Sequence, residues 1–112
     1  MENSIGLIEL TSIAKGYAVA DALLKTADVK IVFNRSICPG KFMVMVAGET
    51  AAVESSLAVG LDMGGDTVVD HLFIPNVHPD VFPAISGTRV IEETDALGII
   101  ETFSVASIIE AA

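Results

Sequence analysis

The chain has 112 residues, 52% of them hydrophobic, with 15 Asp and Glu against 6 Lys and Arg and a formal net charge of −9. That is one domain's worth of chain; its acidic field repels phosphate backbones, which argues against nucleic-acid binding, and no apolar run reaches the roughly 18–20 residues of a membrane span. The single cysteine, Cys38, allows no internal disulfide and suits a reducing, cytoplasmic setting, as does the lack of a basic-then-apolar leader, while high apolarity without a span points to surface buried by oligomerisation.

The segment SIGLIEL (4–10) is a run of β-prone residues and is predicted as a strand. Thr11 or Ser12 then offers an N-cap for a helix over IAKGYAVADALLKTA (13–27). Ile13, Tyr17, Ala20, Leu24 and Ala27 recur in it at helical spacing, and Gly16 among them implies close packing against a neighbour. VKIVFNR (29–35) alternates Val29, Ile31 and Phe33, and KFMVMVAG (41–48) resumes as its hairpin partner across a turn that carries Cys38, Pro39 and Gly40. Thr50 is placed to cap a second helix over 51–64, stopped by Gly64 and Gly65. TVVDHLFI (67–74) reads as a last strand ended by Pro75, and HPDVFPAISG as a short turn or helix.

The order β-α-β-β-α-β is an α+β, ferredoxin-like arrangement: an antiparallel sheet with both helices on one face, its other face left for water or a partner. The plan alone does not specify a function. The tail adds a repeat. Gly6 matches Gly98, Ile8 matches Ile100, Glu9 matches Glu101, Ser12 matches Ser104 and Ala14 matches Ala106, all at one constant spacing. The expected organisation is a domain over 1–87, a charged linker over 88–96, and the first strand and helix of an incomplete second repeat over 97–112.

On these motifs the chain resembles the bacterial microcompartment (BMC) shell proteins. IGLIELTSIAKGYAVADALLKTADV is similar to that family's opening strand and lysine-ended helix. VFNRSICPGKFMVMVAGETAAVESSL is similar to its hairpin, pore loop and second helix, and VVDHLFIPNVHP to its last strand and edge turn. Within the family the chain is most similar to the tandem-domain, trimer-forming class of propanediol-utilisation shells. The resemblance implies a self-assembling structural tile with a central pore, not an enzyme. It implies homo-oligomers, a trimer with two repeats per chain or a hexamer with one, and contacts with other shell proteins at the tile edges.

The resemblance also implies roles for particular residues. Ser36, Ile37, Cys38, Pro39 and Gly40 would line the pore, and Cys38 would be a ligand to a [4Fe–4S] cluster on the symmetry axis. Lys25, Asn76 and His78 would lie at the tile edge, where Asn76 and Val77 replace the arginine and second proline usual in the family. Each has a plainer reading from the residues alone: a surface turn, a free thiol, a helix-end cation and a surface histidine. His71 reads as structural, and Glu92 and Glu93 as solvation. No nucleophile–base arrangement or phosphate-cradling loop is found. The alternative function is a small ferredoxin-like oligomer that regulates or binds a metabolite.

Overall fold

In a computed structural model, described over residues 3–87 and 91–112, the chain forms β1 (Ser4–Leu10), α1 (Ile13–Thr26), β2 (Lys30–Ile37), β3 (Lys41–Gly48), α2 (Thr50–Gly64), β4 (Val68–Ile74), α3 (Val81–Ile85) and α4 (Val105–Ala111). One 3-10 turn, Gly65–Thr67, joins α2 to β4. The four strands make one sheet in the order β2-β3-β1-β4, and all three pairings are antiparallel.

Two cores lie on opposite faces of that sheet. On the first, α1 and α2 cover Ile8, Leu10, Phe42, Val44 and Val46 with Val19, Leu23, Val53 and Leu57. The fit depends on small residues. A Cβ added at Gly16 would stand 2.1 Å from the Phe42 ring, so only glycine lets α1 lie on that ring. The Ser56 hydroxyl, buried between the helices, donates to the Leu23 carbonyl at 3.1 Å and ties α2 to α1. Ser12 caps α1 by accepting from the Lys15 N–H at 3.1 Å.

The second core joins Ile5, Leu7, Met43, Met45, Ala47 and Leu72 to Val77, Ala106 and the apolar residues of α3 and α4. The expected fold class therefore stands, with the two repeat helices on one face. The opposite face, expected to be open, is covered in part by the chain's own α3 and α4. The reason is chemical: Ile5, Leu7, Met43 and Met45 would otherwise expose a broad apolar patch.

The expected details change in four places. The buried residues of α1 are Gly16, Val19, Ala20 and Leu23, so Ile13 (44% exposed), Tyr17 (61%) and Leu24 (49%) form an outer apolar stripe. Alternation in β2 breaks at a register shift between Ile31 and Phe33. Ile31 therefore packs under the helices while Val32 and Phe33 pack on the other face. Thr50 opens α2 without capping it, and Glu49 holds the cap position. The Thr50 hydroxyl is instead engaged with the Ser4 hydroxyl at 2.8 Å. Finally, 97–103 forms no strand, although the matching segment is β1. β1 is held by β3 and β4 on its two edges, and no such partners follow 97–103 within these 112 residues. Of the expected linker 88–96, residues 88–90 lie outside the described residues, as do residues 1 and 2, and 91–96 carry no helix or strand.

Gly16→Ala isolates the tightest contact. Alanine has the better helix propensity by about 1 kcal/mol, but the clash with Phe42 should outweigh it. A net loss of about 1–3 kcal/mol in urea unfolding is expected, and a stabilised variant would refute the packing argument.

Candidate functional site

Two features carry the site: the β2–β3 hairpin tip, and a carboxylate pair beneath the tail. In the hairpin, Ser36 pairs with Phe42 and Ile37 with Lys41, which leaves Cys38, Pro39 and Gly40 as the turn. Gly40 takes φ +66°, the left-handed conformation that closes it. Cys38 is an exposed free thiol. Ser36, Pro39 and Gly40 are exposed and Ile37 is half-buried. The expected loop residues thus sit together, with the thiol at the outermost turn.

The expected edge residues lie elsewhere. Lys25, in the last turn of α1, is exposed and ion-paired with Asp21 at 2.7 Å, one helical turn away. Such a pair contributes little to stability. Asn76 follows β4 with φ 52°; its side-chain oxygen accepts from the Asn3 amide at 2.9 Å. His78 is exposed, and its Nδ1 accepts from the Asp80 N–H at 3.1 Å. The register separates the two groups. Ile74 and Ser4 pair with Ile5 and Gly48 at one end of the sheet, whereas Leu10, Phe42 and the Ile37–Lys41 pair mark the other. Asn76 and Cys38 therefore belong to opposite ends of the domain.

The sequence reading missed the second feature. Glu9 and Asp70 are register partners on β1 and β4, and together they hold the N-terminus of α4. The buried Glu9 Oε1 accepts the Ala106 N–H at 2.5 Å. Asp70 Oδ2 accepts from the Ser104 hydroxyl at 2.5 Å and from the Ser107 hydroxyl at 3.3 Å. Ser104 also caps its own helix by accepting from the Ser107 N–H at 3.0 Å. Two carboxylates thus face the positive end of a helix dipole, whose first-turn N–H groups have no carbonyl partner within the helix. The Ser104 hydroxyl, with the His71 N–H, the Ser107 hydroxyl and the nearby His71 assisting, holds the Asp70 carboxyl below the usual carboxylate range against partial desolvation. Sequence carried one signal for this clamp: Glu9 shares a strand face with Ile5 and Leu7, an acid where period two puts a core residue.

Between hairpin and tail lies a cleft of about 420 Å³, lined among others by Glu9, Cys38, Lys41, Glu101 and Ser104. Among the described residues no three His, Cys, Asp or Glu are grouped to hold a metal ion.

Comparison with known proteins matches residues 4–77, which hold the whole sheet and both repeat helices, to the BMC domain model. The chain belongs to the BMC-domain family, that of bacterial microcompartment shell proteins. It is 48% identical to the bacterial microcompartment shell protein PduT of Citrobacter freundii over all 112 residues, which span 61% of that protein. It is 30% identical to the carboxysome shell protein CsoS1 of Prochlorococcus marinus, covering 82% of this chain and 92% of that one. A crystal structure of a microcompartments protein from Desulfitobacterium hafniense DCB superposes with a TM-score of 0.82 at 49% identity, over 95% of this chain and 59% of that one. No helix among the described residues of this BMC protein is long and apolar enough to cross a membrane.

Loss of the clamp should free α4 without unfolding the BMC domain. Asp70→Ala is expected to speed amide exchange in 104–111 by about tenfold or more, the equivalent of about 1–2 kcal/mol for charge-assisted hydrogen bonds, while β1 and β3 stay protected. The pH dependence has a definite sign. The Asp70 carboxyl lies lower folded than its ordinary value of 3.8, so its contribution is complete at neutral pH. It is lost as pH falls below that value and through the folded one. Protection of α4 that is unchanged in Asp70→Ala, or that rises on acidification, would contradict this account.

Proposed function

We propose that the chain is a building unit of a microcompartment shell tile, with residues 36–40 bordering the central opening and Lys25, Asn76 and His78 at the outer edge. One observation carries this reading: α4, the opening helix of the next repeat, is seated on the first repeat by the Glu9–Asp70 pair. A domain that receives the start of its neighbouring repeat on a prepared surface is suited to side-by-side assembly. The placing of Cys38 and Asn76 at opposite ends of the sheet agrees with one end turned to an axis and the other to an edge. The partners are further copies of the chain and other shell proteins, and the location is the shell of a microcompartment in the cytoplasm. The role is structural, and no reaction is assigned to the chain.

The finer reading concerns Cys38. Its thiol is soft and exposed at the turn, which fits one corner of an iron–sulfur cluster, but each chain offers only this one cysteine. Three chains around an axis bring three thiolates to one place, three of the four ligands that a [4Fe–4S] cluster takes. When bound, such a cluster supplies one-electron transfer at the opening. What the chain itself contributes is the donor atom and the tight turn that presents it.

Both levels have direct tests. Negative-stain microscopy of the concentrated protein should show hexagonally packed sheets or tubes, and dispersed single particles at every concentration would remove the tile reading. Anaerobic reconstitution should give about four iron and four sulfide per three chains with the EPR signal of a reduced cubane, and Cys38→Ser should abolish both. Iron and signal retained in Cys38→Ser would remove Cys38 from the cluster.

A further inference from the structure

Three unusual features meet at the end of the sheet away from Cys38. Ser4 is a polar residue with no exposure at the start of a central strand. Thr50 opens α2 without capping it, and Asn76 takes φ 52°, in the left-handed region that asparagine tolerates better than most residues. One hydrogen-bond network accounts for all three. The Ser4 and Thr50 hydroxyls share a hydrogen bond at 2.8 Å, and the Ser4 oxygen accepts from the Asn76 N–H at 3.3 Å. Asn3 adds two more bonds: its side-chain amide donates to Asn76 Oδ1 at 2.9 Å, and its carbonyl accepts from the Val77 N–H at 2.6 Å.

The turn held in this way spans 75–80. Val77 is its anchor, buried in the core that holds Ile5 and Leu72, whereas Pro75, Asn76, His78, Pro79 and Asp80 around it are exposed. With the N–H groups of Asn76 and Val77 both bonded to the start of β1, the outer side chains have little freedom to tilt. His78 is fixed further, because its Nδ1 accepts from the Asp80 N–H at 3.1 Å. A neutral imidazole that accepts at Nδ1 carries its proton on Nε2. The turn therefore presents one hydrogen-bond donor of defined direction, and the other tautomer would set two N–H groups against each other.

We propose that Asn3 and Ser4 are positioning residues for the outer edge, fixing the 75–80 turn so that His78 donates its Nε2–H to an oxygen on the facing edge of a second copy of this chain. This role rests on the tile reading, in which Asn76 and His78 lie at that edge. An oxygen is the fitting partner because an imidazole N–H donates and does not accept, and the chain, with 15 Asp and Glu, is rich in carboxylates. Two copies related by a two-fold axis bring two such turns together, so the contact is made twice. The Ser4–Thr50 bond also ties the turn to the first residue of α2, which registers the edge to the helical layer as well as to β1.

The test uses the full chain and its Asn3→Ala, Ser4→Ala, His78→Ala and His78→Gln variants. Native mass spectrometry reads the tile unit, and negative-stain microscopy over a concentration series reads its growth into extended sheets of tiles. Asn3→Ala, Ser4→Ala and His78→Ala should form the same unit as wild type but need at least about tenfold more protein for sheets. His78→Gln keeps a donor near the position of Nε2 and should recover much of the wild-type growth. In dispersed protein, imidazole nitrogen NMR shifts should show the single Nε2–H tautomer of His78 in wild type and a mixture in Asn3→Ala and Ser4→Ala. Lost stability alone would not produce that change. Sheets at the wild-type concentration from His78→Ala, or from both Asn3→Ala and Ser4→Ala, overturn the edge role and leave the tile reading in place. His78→Gln that behaves as His78→Ala overturns the donor, and a single tautomer retained in both turn variants overturns the positioning. Should Ser4→Ala fail to fold, since Ser4 is buried, Asn3→Ala decides by the same measurements, because its side-chain bond to Asn76 is exposed. A wild-type chain that forms no sheets at any concentration overturns the edge role and the tile together.

Discussion

Everything in this domain is arranged around β1, which with β3 is one of the two strands that have neighbours on both edges and cover on both faces. Its edges are taken by β3 and β4, and all seven of its residues are buried. Ile8 and Leu10 belong to the core under α1 and α2, while Ile5 and Leu7 belong to the core under the tail. A strand in that position must satisfy two layers at once, and a shift of one residue would exchange their contents. Glu9 is the exception that gives the arrangement meaning. A carboxylate buried in a central strand is costly unless it is paired, and one of its oxygens, Oε2, has no hydrogen-bond partner among the described residues. The other receives a helix N-terminus. That acid makes the second face of the sheet a receptor for a particular element instead of an unspecific apolar patch.

Much of the architecture is legible in the sequence because local chemistry and global position agree. β1 and β3 have the expected limits, as strong β-formers bounded by turn or cap residues. α1 begins after Ser12, α2 stops at the glycine pair, and the short segment after Pro79 gives α3. Gly16 is legible for the same reason: a glycine inside a helix implies a close neighbour, and that neighbour is the Phe42 ring. The misreadings occur where tertiary contacts override pattern. The expected stripe through Ile13, Tyr17, Ala20, Leu24 and Ala27 has correct helical spacing, yet of these only Ala20 is buried, and the sheet takes the adjacent stripe through Gly16, Val19, Ala20 and Leu23. Spacing reveals that a face exists, not which of two apolar faces is covered within the chain. The bulge in β2 likewise has no counterpart in period-two counting, since one extra residue reverses the faces beyond it.

The candidate site divides in the same way. Cys38, Pro39 and Gly40 are recognisable as a turn because they are contiguous. The Glu9–Asp70 clamp joins residues far apart in sequence, and its geometry arises only when β1 lies against β4 in this register. The repeat supplied half of the message by matching Ser12 to Ser104 and Glu9 to Glu101. What it could not supply is that Glu9 serves α4 and not the helix that follows it directly. That relation belongs to the packing of the tail helix against the sheet, which no single strand or helix encodes.

The close seating of α1 on Phe42 has a consequence for the fidelity of association. The residue of α4 that corresponds to Gly16 is Ile108. Even a methyl group at Gly16 would fall within 2.1 Å of the Phe42 ring, so a branched side chain of four carbons has no room there. Two helices with the same cap and the same polarity are thereby made non-interchangeable. An α4 laid on the sheet in the place and register of α1 would drive Ile108 into the Phe42 ring. A single missing side chain thus reserves that place on the sheet for α1.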